Sequence, residues 1–202
     1  MDKQSIIAKF GADYQADDRS FRMGIDVRFA DHIAERFKGM VVLETCTGGG
    51  FTTIALARTA LHVFSVEIDA GRQVEAKRNA VTAGVAKNIT FIRADIFDVQ
   101  IESLPKRIDA ALLDPDWADT GSGHAYRFVD STTKPPSDWI LDYLADYTEN
   151  ITLVQPPFID EHEYTHLLPH ELEKLYLSGN HELSCLHFGK LARTRGKTEF
   201  RV

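Results

Sequence analysis

VVLETCTGGGFTTIALARTALHVFSVEID, residues 41–69, reads as strand, glycine loop, helix and strand, and it sets the fold expected of the whole chain. Val41, Val42 and Leu43 form a short apolar run closed by Glu44; Gly48, Gly49 and Gly50 follow, ahead of an alanine-rich helical segment. Glycines at the carboxyl end of a first parallel strand let the backbone pass close to a ligand, where a Cβ would occupy the ligand's space. Glu67 closes the next strand, at about the 20-residue distance where a carboxylate can accept from the hydroxyls of a ribose. The stretch therefore reads as half of a nucleotide-binding crevice. A tight structural turn is the plainer alternative, and Glu67 argues against it.

The remaining composition sets bounds on this reading. A chain of 202 residues with no Pro/Gly/Ser-rich linker suits one domain, 1–202, in which 1–25 is a loosely structured lead-in. No apolar run approaches the roughly 18 residues of a membrane span, and MDKQSIIAKFGADYQADD lacks the apolar region of a signal peptide, so a soluble, cytoplasmic protein is expected. Cys46 and Cys185 make neither a disulfide framework nor a cysteine-rich zinc pattern. The formal net charge of -7 argues against indiscriminate binding to nucleic acid. Residues 186–202 run the other way, with Lys190, Arg193, Arg195, Lys197 and Arg201 against Glu199. That tail is either a solvated basic end or a phosphate contact beside the active site.

Taken in order, Asp26 caps a helix through Phe37, stopped by Gly39 before the first strand. A helix over 52–60, a strand over 62–68 and an amphipathic helix over 69–83 follow, the last with Val74, Ala76, Ala80 and Val81 towards one side. Strand three is 88–93, and Asp95-Ile96 at its end suits an adenine: the carboxylate accepts from the amino group and Ile96 packs on the ring. A helix N-cap at Asp95 explains the residue equally well. Strand four, 108–113, runs into Asp114-Pro115-Asp116-Trp117, and 120–136 is a long aperiodic stretch of the kind that is usually functional or disordered. A helix over 139–147, strand five over 151–155, a Pro156-Pro157 turn, a helix over 171–177 and strands over 182–188 and 198–202 complete the chain, the final pair as an antiparallel hairpin.

Glu44-x-Cys46-x-Gly48-x-Gly50 departs from the dinucleotide fingerprint G-x-G-x-x-G. It resembles the acidic-x-G-x-G-x-G loop of the class I S-adenosylmethionine (SAM) methyltransferases, with Cys46 replacing the first glycine. Within that class the loop, the VFSVEID strand, the A-D-I-F turn and the D-P-x-W motif look like the RNA cap guanine-N2 methyltransferases, the trimethylguanosine synthase family. Residues 24–37 are similar to that family's entry segment, while HELSCLHFGKL looks more like a bacterial group of methyltransferase-like proteins.

The resemblance implies a single Rossmann-like class I methyltransferase domain, α/β, with a mostly parallel seven-stranded sheet and helices on both faces. It implies SAM as cofactor, bound by Glu44, Thr45, Cys46, Gly48 and Gly50, by Glu67 and Ile68, by Asp95 and Ile96, and by Asp114. It also implies an acidic-P-P-aromatic motif, Asp114, Pro115, Asp116 and Trp117, that performs the chemistry on an exocyclic amine, guanine N2 of RNA in the family. Asp114 and the Pro115 carbonyl would accept the amine's N–H bonds, and Trp117 would stack on the base. Asp116 stands where the family has proline, adding flexibility and a charge. A turn with a packed tryptophan, a small-molecule amine substrate and a non-catalytic SAM- or nucleotide-binding scaffold stay open beside this reading. His162-Glu163-Tyr164-Thr165-His166 matches H-E-x-x-H, but Pro156, Pro157 and Pro169 bracket it and no apolar repeat buries it. It reads as the polar face of a short helix, and no metal is expected.

Overall fold

A computed structural model describes residues 2–117 and 126–202, which group into two compact units, Met1–Asp109 and Ala110–Val202. Residues 120–125 of the expected long loop lie outside the described residues.

In the first unit α1 (Lys3–Phe10), α2 (Asp18–Met23) and α3 (Val27–Ala34) precede β1 (Val41–Thr45), α4 (Phe51–Thr59), β2 (His62–Glu67), α5 (Ala70–Thr82) and β3 (Ile89–Arg93). The strands are parallel in the order β3-β2-β1, with Val42 opposite Val63 and Val63 opposite Ile89. β1 is buried along its whole length, as a strand covered on both faces must be, which is why it reads as a continuous apolar run.

The lead-in expected to be loose is folded. Asp2 and Asp17 cap α1 and α2 through the amides of Ser5 and Ser20, and Ile6, Phe10 and Tyr14 are buried. α5 also differs from its expected face: Val74 and Val81 are exposed, and Gln73, Ala76, Asn79 and Ala80 face the interior.

The second unit holds β4 (Ala110–Leu113), α6 (Ser137–Ala145), β5 (Ile151–Gln155), β6 (His170–Leu177), β7 (Asn180–Phe188) and β8 (Gly196–Arg201), the strands in the order β4-β5-β7-β6-β8. β4 is parallel to β5, β7 is antiparallel to β5 and β6, and β8 is parallel to β6. The described residues thus form eight strands, mostly in parallel pairs, one more than expected. The additional strand is β6, the segment expected as a helix.

HELEKLYL contains good helix formers, but Ser178 (φ 49°) and Gly179 (φ 87°) form a two-residue turn with both central residues left-handed, which fixes an antiparallel hairpin. The buried carboxylates of β6 are satisfied across the sheet. Glu171 accepts from the Arg193 amide and the Thr198 hydroxyl, each at 2.7 Å, and Glu173 lies 3.0 Å from His187 Nε2. The hairpin is therefore β6–β7, not the final pair. No helix among the described residues is long and apolar enough to cross a membrane.

Candidate functional site

The loop after β1 is shaped by three left-handed residues, Cys46 (φ 60°), Gly48 (φ 53°) and Gly50 (φ 80°). A Cβ on Gly50 would come within 2.8 Å of Ala76 Cβ on α5, so only glycine allows the loop to lie this close to that helix. Cys46 occupies a conformation that costs a non-glycine side chain of order 1 kcal/mol, which explains why glycine suits this position. Beneath the loop Glu44 is buried, accepting from the hydroxyls of Thr53 (2.6 Å) and Ser65 (2.7 Å). Thr45 is buried, and among the described residues its Oγ1 has no hydrogen-bond partner.

Glu67 ends β2 with both carboxylate oxygens engaged, one accepting from the Gly48 amide at 2.8 Å and the other from the Asp69 amide at 2.9 Å. It therefore braces the glycine loop. Each oxygen keeps a second lone pair, so this role is compatible with accepting from a ribose. Ile68 beside it is 66% exposed, whereas Ile96 is 5% exposed; the open apolar face at these strand ends belongs to Ile68. Asp95 caps a 3-10 turn, accepting from the Phe97 amide at 3.1 Å, as its alternative reading required. One oxygen suffices for that cap.

Sequence reasoning missed how the lead-in joins this loop. Phe10 stacks on Phe51, the first residue of α4, with ring centroids 3.6 Å apart. A Cβ on Gly24 would meet both rings within 3 Å. Asn79 accepts from the Gln15 amide (2.7 Å) and donates to the carbonyls of Gln15 and Gly49 (2.9 Å each), so one side chain on α5 ties the lead-in to the glycine loop. Arg72 grips Asp17 through two 3.0 Å bonds and also reaches Ser20. Hydrogen bonding to that guanidinium holds the Asp17 carboxyl well below the usual carboxylate range. The signals were the aspartate caps and the phenylalanines of 1–25.

The second unit carries Asp114, Pro115, Asp116 and Trp117 at the carboxyl end of β4. Asp114 is half-buried; burial, and secondarily the charge of Asp116, push its carboxyl up to about 7. Asp116 pairs with Lys134 through two backbone bonds, its amide donating at 3.0 Å and its carbonyl accepting at 2.9 Å. A proline at 116 could not donate the first, so the departure from the family motif is matched by a local pairing. Behind Lys134 lies a buried chain of polar side chains: Gln155 Nε2 donates to Ser137, Ser137 is 2.9 Å from Thr133, and Thr133 is 2.9 Å from Ser131. Trp117 is partly exposed, and among the described residues its buried Nε1 has no hydrogen-bond partner.

The H-E-x-x-H segment forms a 3-10 turn, Glu161–Tyr164, that ends before His166. Glu163 accepts from the amides of Phe128 (2.6 Å) and Val129 (3.0 Å), a structural task. Among the described residues no group of His, Cys, Asp or Glu could hold a metal ion. The basic tail is placed by topology. β8 runs in the direction of β5, so Lys190, Arg193 and Arg195, which precede it, lie at the amino ends of these strands; Lys190 accordingly donates its amide to Asn150, just before β5. Asp114–Trp117 leave the carboxyl ends. Lys190, Arg193 and Arg195 are therefore at the other end of the strands from this motif, whereas Arg201 ends β8.

A family model described as RNA cap guanine-N2 methyltransferase matches residues 39–156, more than half of the chain. Among solved structures, a Porphyromonas gingivalis W83 protein described as a methyltransferase is similar with a TM-score of 0.73 at 16% identity, covering 92% of this chain and 47% of that one. The chain thus spans less than half of that protein's length. TrmK of M. capricolum, solved with S-adenosylhomocysteine, gives a TM-score of 0.56 at 12% identity, covering 83% of this chain and 69% of TrmK. An RNA methyltransferase from Salinibacter ruber, also solved with S-adenosylhomocysteine, gives 0.54 at 17%, covering 83% and 91%. At these identities the likeness is one of fold, and that fold is the α/β fold of SAM-dependent methyltransferases.

Proposed function

Because the chain belongs to the RNA cap guanine-N2 methyltransferase family, we propose that it transfers the methyl group of SAM to an exocyclic amine, guanine N2 of RNA. The observation that carries the reading is Asp114: a carboxyl at the end of β4, raised by burial to about 7, one residue before the Pro115 carbonyl and three before a partly exposed tryptophan. The first unit supports the cofactor half with a loop held left-handed at Gly48 and Gly50, a buried Thr45 Oγ1 that has no hydrogen-bond partner among the described residues, and the open face of Ile68. Glu44 to Gly50 would hold the cofactor's amino-acid end, Glu67 and Ile68 its ribose side, and Asp95 its adenine.

Bound there, SAM supplies a methyl group on a positively charged sulfur. The protein's part is to position and to manage a proton. Asp114 as carboxylate and the Pro115 carbonyl accept the two N–H bonds of the acceptor amine, which fixes its lone pair in one direction. Trp117 stacks on the base, a contact worth about 1–3 kcal/mol. As the nitrogen gains a methyl group and positive charge, Asp114 Oδ takes the proton it releases. A carboxyl near 7 is a stronger proton acceptor than an ordinary carboxylate near 4.

Stacking acts in ground and transition states alike, whereas alignment of the nitrogen counts only in the transition state. Trp117→Ala should therefore chiefly raise KM for a guanosine-containing oligoribonucleotide, and Asp114→Ala should chiefly lower kcat. Steady-state kinetics with both variants test this; an Asp114→Ala enzyme of unchanged kcat removes Asp114 from the chemistry. One observation favours a second reading, a non-catalytic SAM-binding scaffold: Asp116 stands where the family motif has proline. That reading requires cofactor binding without turnover on any amine.

A further inference from the structure

β5 ends at Gln155, and Pro156-Pro157-Phe158 follows. Leu113 of β4 pairs with Leu153 of β5 in parallel register, so this turn leaves the strands at the same end as Asp114–Trp117 and from the neighbouring strand. The turn is braced. Ile159 bridges to Tyr126, Glu163 holds the amides of Phe128 and Val129 and pairs with Arg127 at 3.2 Å, and Tyr164 packs edge-on against Phe128. The two prolines fix their own backbone φ angles. Phe158 nevertheless stands 71% exposed, next to the bridged Ile159. A single exposed apolar side chain is ordinary on a protein surface. This one is held by a braced turn that leaves the same end of the neighbouring strand as Asp114–Trp117.

Resting on the function proposed above, we propose that Phe158 is a second stacking surface for the acceptor, taking the nucleotide next to the one at Trp117. The substrate is then a single-stranded oligoribonucleotide, not a free nucleoside or a small amine. Two aromatic residues on the segments that follow adjacent parallel strands suit two successive bases, and stacking tolerates any base identity. The chain carries -7 overall, which argues against binding driven by bulk charge alone and leaves base stacking as the contact these two side chains offer.

The test is fluorescence anisotropy of a short end-labelled oligoribonucleotide with the full chain saturated with S-adenosylhomocysteine, alongside competition by guanosine monophosphate. Phe158→Ala should weaken the oligonucleotide about tenfold and leave the mononucleotide unchanged, Phe158→Trp should restore binding, and Trp117→Ala should weaken both. Circular dichroism shows whether Phe158→Ala is folded, and a surface position makes that the expected result. The inference is overturned if Phe158→Ala binds the oligonucleotide as the parent does, if it weakens the mononucleotide equally, or if the parent does not bind the oligonucleotide. Failure of the proposed function looks different: the oligonucleotide binds in the Phe158-dependent way, and no methyl group is transferred.

Discussion

Glu67 is the residue whose position in the sequence said most and whose task was only half visible. Its distance from the glycine loop pointed to a ribose, but the spacing could not reveal that its two oxygens hold the amides of Gly48 and Asp69. Glu67→Ala should lower affinity for S-adenosylhomocysteine by roughly ten- to a hundredfold, since loss of such a charged acceptor costs about 1.5–3 kcal/mol. Isothermal calorimetry checks this, and unchanged affinity would leave Glu67 as a brace alone. Cys46 was legible only as a departure from a pattern, because a left-handed φ is a property of backbone that no residue count reports.

Asp114 adds a prediction with a definite sign. The folded chain keeps its proton to about 7, against 3.8 for an ordinary aspartate, so between those values the folded state binds more protons than the unfolded state. This group's contribution therefore falls as pH rises from about 4 to about 7, by about 4 kcal/mol at most. Asp114→Asn removes the effect. Its stability relative to the parent should rise across that window and level off above it, as measured by urea unfolding at stepped pH; a constant difference would contradict the raised carboxyl.

At the scale of elements, the β-α-β core of 41–93 was legible because apolar runs, a glycine turn and caps agree there. The elements misread are those where tertiary contacts outweigh local preference. β6 is built of helix formers, but the Ser178-Gly179 turn and the acceptor needs of Arg193, Thr198 and His187 make it a strand. α5 turns Gln73 and Asn79 inward in place of Val74 and Val81, and for Asn79 the reason is visible in its three bonds to Gln15 and Gly49. Asn79→Ala would orphan those partly buried groups. We expect a loss of about 2–3 kcal/mol in urea unfolding, with a weaker calorimetric affinity for S-adenosylhomocysteine because Gly49 loses its anchor. Lost stability with unchanged affinity would make the lead-in a purely structural cap.

At the scale of the whole molecule, the α/β class and the mostly parallel pairing could be read in advance, while the count of strands could not, since it turned on β6. Of the candidate site, the strand ends that carry Glu44, Glu67, Asp95 and Asp114 were legible as residues following apolar runs. The lead-in, the exposed Phe158 and the placing of Lys190, Arg193 and Arg195 at the strand ends opposite Asp114–Trp117 follow from topology and packing. Transfer of a methyl group to an exocyclic nitrogen is the reaction proposed for this chain. The direct measurement is mass spectrometry of nucleosides from guanosine-containing RNA digested after incubation with the protein and methyl-labelled SAM. The account predicts labelled N2-methylguanosine that is lost with Asp114→Ala. Protein that binds S-adenosylhomocysteine yet leaves RNA, nucleosides and small amines without label would contradict it and make the chain a binding scaffold.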